Sequence, residues 1–180
     1  MNSLKGKLLV SAGGLMDLHF RHTVVLLGEH GPEGALGVVL NRPLDLTVEE
    51  AIPELQRFVE SGAPVFQGGP VQPESPVLLA EFVRTGEAHL PVFGNIGFLI
   101  GDVPLGATED IRRARIYAGY SGWGPGQLEA EMEEGSWIVE SAREDDVFTD
   151  APELLWSRVL RRKGPEYERL SKMPYDPSMN

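Results

Sequence analysis

Gly119-Tyr120-Ser121-Gly122-Trp123-Gly124-Pro125-Gly126-Gln127-Leu128-Glu129, running on to Gly135-Ser136-Trp137, decides how this chain is read. Four glycines and a proline frame Trp123 between a strand-like segment and a short acidic helix. Glycine admits positive φ and close backbone approach, while proline fixes φ and removes a donor. The turn therefore has a specified shape. Upstream, Ala114 to Tyr120 reads as a strand. Downstream, Gln127 to Glu134 reads as a helix with Leu128 and Met132 facing inward and Gly135 as its stop. Ser136 to Ala142 follows as a strand, with Trp137 and Val139 on one face.

Working outward, 7–11, 22–29 and 35–40 read as strands. The second and third are unbroken apolar runs, as expected of strands buried on both faces. His30-Gly31-Pro32-Glu33-Gly34 joins them as a hairpin turn. Thr47 and Glu50 form a capping box for a helix carrying Val48, Ile52, Leu55 and Val59 on one face. Pro53 should kink that helix or move its start, and Gly62 should stop it. Further strands are expected at 64–67, 76–83 and 96–101, with turns at Gly68-Gly69-Pro70 and Gly86. A short helix is expected over 107–113. The last helix should start at Asp150 as N-cap with Pro152 in its first turn, pair Leu155 with Val159 and Trp156 with Leu160, and end at Gly164-Pro165. Residues 171–180 read as a loose tail. Strand runs broken by isolated helices point to a single α+β domain over 1–180.

Composition sets limits. The chain has 180 residues, 21 Gly, 14 Pro, no Cys and a net charge of −11. Disulfides, thiolate metal sites and cysteine nucleophiles are excluded. The acidic balance disfavours direct DNA binding, which needs a basic face. Arg158, Arg161, Arg162, Lys163, Arg169 and Lys172 read as a solvated helix end, favoured by the helix dipole. No run approaches 18 apolar residues, so no membrane span is expected. A cytoplasmic location is expected.

Several other blocks accompany Gly119–Trp137. They are Leu4-Lys5-Gly6-Lys7-Leu8-Leu9-Val10-Ser11 with Met16-Asp17 and Phe20; Glu29-His30 with Gly34-Ala35-Leu36-Gly37-Val38-Val39-Leu40-Asn41-Arg42-Pro43; Gln67-Gly68-Gly69-Pro70-Val71; and Phe148 with Leu155-Trp156. In order and spacing the set, over roughly residues 4–165, resembles the YqgE/AlgH family. The resemblance implies a compact α+β domain with a curved, branched mixed sheet and a few short helices packed on it. One branch of that family is named for a role in transcriptional regulation of exopolysaccharide synthesis. Nothing in the sequence resembles a helix-turn-helix.

Asp17, His19, His22 and Glu29-His30 carry metal-competent side chains, but loop histidines bonded to carbonyls are the plainer reading. Ser121 lacks the second glycine of a hydrolase elbow and has no evident histidine partner. The Gly122–Gly126 turn could cradle phosphate, but Pro125 deletes a donor and Glu129, Glu131, Glu133 and Glu134 would repel an anion. Asn41 and Arg42 leave a buried strand together. The arginine fork suits a carboxylate or phosphate, and a purely structural pair is the alternative. Gly68 and Gly69 could line the same cleft. Trp123 is either a partner-facing anchor or a core plug, with Gly124 and Gln127 beside it. No catalytic residue, cofactor or metal is assigned. The favoured reading is a non-enzymatic binding or regulatory protein with an unknown protein partner. The alternative is a small anionic ligand-binding protein or enzyme with a pocket near Asn41 and Arg42.

Overall fold

A computed structural model describes residues 2–12, 20–84, 88–99 and 110–175. Strands β1 (Lys7–Ser11), β2 (Val24–Gly31) and β3 (Gly34–Val39) form an antiparallel meander. The β2–β3 hairpin lies where the apolar runs and the Gly31–Gly34 turn place it. β4 (Pro43–Thr47) leads into α1 (Val48–Ala51). The Thr47 hydroxyl accepts from the Glu50 amide at 3.2 Å, the capping expected from sequence. The chain does not continue as one helix. Ile52 leaves helical geometry ahead of Pro53, and residues 53–58 form a 3-10 turn. Proline excludes the helical backbone for the residue before it, so the helix breaks and does not merely kink.

β5 (Pro64–Gln67) and β6 (Val71–Phe82) flank the Gly68-Gly69-Pro70 turn, and β7 (Leu90–Phe93) and β8 (Ile96–Leu99) form a second hairpin. β6 starts five residues before the expected 76. Residues 100–101, Gly86 and 107–109 lie outside the described residues. Residues 111–113, expected in a helix, belong instead to β9 (Ile111–Trp123), a 13-residue strand. Arg113 and Arg112 there pair with Glu81, buried on β6, so ladder bonding and ion pairing override the local helical pattern. α2 (Gln127–Glu133), β10 (Trp137–Ser141), α3 (Glu144–Val147), α4 (Pro152–Lys163) and α5 (Glu168–Ser171) complete the chain. The N-cap of α4 is Ala151 without a side-chain bond, not Asp150; Thr149 instead caps the Ala151 amide at 3.1 Å. Ser171, the first residue of the expected tail, is buried at the end of α5.

The strands order as β10-β1-β2-β3-β9-β6-β8-β7, antiparallel except for β5, which lies parallel to β9. β9 is the hinge of this mixed sheet. Its residues 111–120 pair with β6, 117–118 with β5, and 121–123 with β3. The sheet therefore forks, and its faces bury three clusters. The central one holds Leu26, Val38, Leu79, Phe98 and Tyr117 under Leu155, Trp156, Val159 and Leu160 of α4. The second packs Val25, Leu27 and Val39 against Trp123, Leu128 and Trp137. The third sets Val48 and Phe58 against Leu78, Phe82 and Ile116. Adjacent residues of β2 thus enter different cores, which is why that strand reads as a continuous apolar run.

Candidate functional site

The glycine–tryptophan stretch folds into a lock. Trp123 is 6% exposed, which is the core placement rather than the anchor placement. The indole N–H groups of Trp123 and Trp137 both donate to Glu131 Oε2 at 2.8 Å. Gln127 donates to Glu131 Oε1 at 3.1 Å and accepts the Gly124 amide at 3.0 Å. Phe20 packs edge-on against Trp137 at 5.5 Å. Gly124 and Gln127 therefore spend their polar groups inside this network, with the Gly124 amide turned to the Gln127 side chain and the Gln127 amide to the Gly124 carbonyl.

Gly68 and Gly69 sit at the fork of the sheet. A Cβ on Gly68 would collide with the Gly119 carbonyl, and one on Gly69 with the Tyr120 carbonyl. Gly119, at φ +71°, has its own missing Cβ 2.7 Å from the Gly69 carbonyl. These three glycines let two backbones cross. Ser121 is buried and donates to the Gly68 carbonyl at 3.2 Å, so its hydroxyl belongs to the same crossing.

Asn41 and Arg42 do border a concave polar space. A pocket of about 450 Å³ is lined by Arg21, His22, Asn41 and Arg42, by Glu153, Trp156 and Ser157 of α4, and by Ser171, Met173 and Tyr175. Asn41 builds its wall: Oδ1 accepts the Val24 amide at 3.0 Å and Nδ2 donates to the His22 carbonyl at 2.7 Å. Arg42 donates to the Arg21 carbonyl at 3.0 Å. The strand end thus clamps the Arg21-His22 loop, where His22 takes a φ of +48°. The His22 ring lies flat on Trp156, centroids 3.7 Å apart, and Tyr175 meets it edge-on at 5.6 Å. Burial, and then the Arg21 charge, hold the His22 imidazole below its ordinary range, so it is neutral at pH 7. The pocket has two guanidinium groups, one carboxylate from Glu153, a neutral imidazole, the hydroxyls of Ser157 and Ser171, and an aromatic floor. Gly68 and Gly69 are not among its walls.

Sequence reasoning passed over Arg21, Trp156 and Ser157 as pocket residues. The signal for Arg21 was its place in a polar run before a buried strand; the approach of α4 had no local signal. His30 is buried, accepts the Leu4 amide on Nδ1 at 2.9 Å and meets Glu129 Oε1 through Nε2 at 2.6 Å. Among the described residues no cluster of three or more metal-competent side chains occurs, and Asp17 and His19 lie outside them. Among the same residues no helix is long and apolar enough to cross a membrane.

A forked α+β sheet carrying an arginine-lined pocket at the end of its third strand is the class of protein that this geometry defines. The chain belongs to the AlgH-like family DUF179, whose profile matches residues 8–168. A UPF0301 protein of Streptomyces avermitilis is 40% identical over 189 residues, covering 100% of this chain and 97% of that one. One from Chlorobium luteolum is 38% identical, with 97% and 94% covered. The crystal structure of a Corynebacterium diphtheriae protein superposes with a TM-score of 0.85 at 26% identity, covering 96% of this chain and 93% of that one. The solution structure of AlgH from Pseudomonas aeruginosa gives 0.74 at 28%, covering 96% and 95%.

Proposed function

We propose that this chain is a non-enzymatic binding protein whose ligand is a small anion, a carboxylate or phosphate, held in the pocket between β3 and α4. One observation carries the reading: Arg21 and Arg42 border the same 450 Å³ hollow against one carboxylate, Glu153, so its balance is positive in a protein of net charge −11. Arginine's planar fork matches carboxylate and phosphate oxygens, and a partly enclosed site strengthens that attraction relative to water. The aromatic floor of His22 on Trp156 suits a ligand with a flat or apolar body beside its charge. A role in transcriptional regulation would then be indirect, exerted through ligand occupancy, since the acidic surface opposes duplex DNA.

The test is a calorimetric titration of the full chain with inorganic phosphate, nucleoside monophosphates and small carboxylates. An anion should bind, and Arg21→Gln should weaken it roughly tenfold, the loss of one charge-assisted contact. Arg21 is the better target because Arg42 also holds the loop. Saturable binding of no anion, or binding unchanged in Arg21→Gln, would overturn the reading. Retardation of mixed-sequence duplex at low salt would favour direct DNA contact instead.

A further inference from the structure

A second hollow opens along the middle of β3, at Leu36, Gly37 and Val38. It is a cleft of about 620 Å³, within the 300–1,000 Å³ range of small-molecule sites. Its walls are Leu36 from β3, Val77 from β6, Leu90 from β7, Phe98 from β8, and Ile52 and Leu55 beside the 3-10 turn. Leu36 stays 41% exposed here although it lies on a central strand. Gly28, at the bulge between Leu27 and Glu29 of β2, borders the cleft, and a Cβ there would come within 2.7 Å of the Phe98 ring. The bulge turns the Glu29 side chain outward, exposed at the rim.

The polar groups at the rim settle the ligand's charge. Glu29 and Glu54 contribute two carboxylates, and Arg57 one guanidinium, which lies over the Phe58 ring at 4.7 Å from its centroid. The balance is negative, in contrast with the positive balance of the pocket at Asn41 and Arg42. We propose that this cleft binds a small apolar molecule carrying a positively charged amine at one end. The apolar body displaces water from Leu36, Val77 and Phe98, and the ammonium stays at the rim beside Glu29 and Glu54. A carboxylate-headed chain of the same length meets two like charges there.

The experiment titrates the full chain with n-octylammonium, n-octanol and n-octanoate below their micellar concentrations, read by backbone amide shifts. Each titration is repeated on Arg21→Gln, so that octanoate held in the polar pocket is not counted. Octylammonium should saturate with shifts centred on Leu36, Val77 and Phe98, at least roughly fivefold tighter than octanoate, the scale of exposed charge pairs. The double variant Glu29→Gln/Glu54→Gln, both sites exposed, should erase that preference and keep octanol binding. Leu36→Asp should weaken all three probes. Octanoate binding as tightly as octylammonium, a preference that survives the double variant, or no saturable shift at the cleft would each overturn the proposal. None of these outcomes bears on anion binding at Arg21.

Discussion

Glu131 is the residue on which the glycine–tryptophan stretch turns. One carboxylate oxygen takes both indole donors, and those donors sit among buried rings. A buried donor left without an acceptor costs about 1–3 kcal/mol. Glu131→Ala should therefore lower stability by about 3 kcal/mol in urea unfolding, with a change in tryptophan fluorescence of the native state. Tyr117 presents the opposite case. Its hydroxyl is buried and has no hydrogen-bond partner among the described residues, and burial pushes its pKa far above the usual phenol range. Tyr117→Phe removes an unsatisfied group at nearly constant volume, so it should leave stability unchanged or raise it by about 1 kcal/mol. A clear loss would mean that the hydroxyl has a partner in solution.

Among the elements, β9 and its crossing glycines fix the fork. Gly119 and Gly126 have similar dihedrals, φ +71° and +75°, but different surroundings. A Cβ on the first would meet backbone, and one on the second would meet no atom within 4 Å among the described residues outside its chain neighbours. Gly126→Ala should cost about 1 kcal/mol, the strain of a left-handed alanine alone. Gly119→Ala adds collisions with the Gly69 and Val71 carbonyls and should cost at least about 3 kcal/mol. Comparing their thermal midpoints separates strain from crowding. Elements with a self-contained signal were legible in sequence: the β2–β3 hairpin, the Thr47 cap, α2 between Gly126 and Gly135. Those set by distant partners were not. β4 is largely exposed and is held by β5 alone, β7 is only four residues long, and 111–113 become strand because Glu81 lies across from them.

At the scale of the whole molecule, His22, Glu129 and Glu168, the last held low by its bond to Lys172, make stability depend on pH in the same direction. The hydrogen bond from His30 holds the Glu129 carboxyl below its ordinary value, so its contribution is present above about 4.5 and is lost as pH falls through the lower folded value. His22 is also shifted down, by burial first. Its folded form resists protonation, so stability is present above about 6.5 and declines as pH falls below it. Unfolding midpoints should therefore drop in two stages on acidification, and His22→Gln should remove the upper stage while sparing the lower. The pocket around His22 was half legible. Asn41 and Arg42 announce themselves at a strand end, but Trp156 arrives from more than a hundred residues away, and a side-chain stack of that separation leaves no trace in local pattern.

β9 serves three neighbours at once, and strand side chains alternate with a period of two. Inserting or deleting a single amino acid between Arg113 and Tyr117 would exchange inward and outward residues along every segment beyond that point, and slip the ladders with β3, β5 and β6 together. No one seam could absorb the error by sliding. The length of this strand is thus a rigid measure for the entire sheet, far less forgiving than the loops on either side.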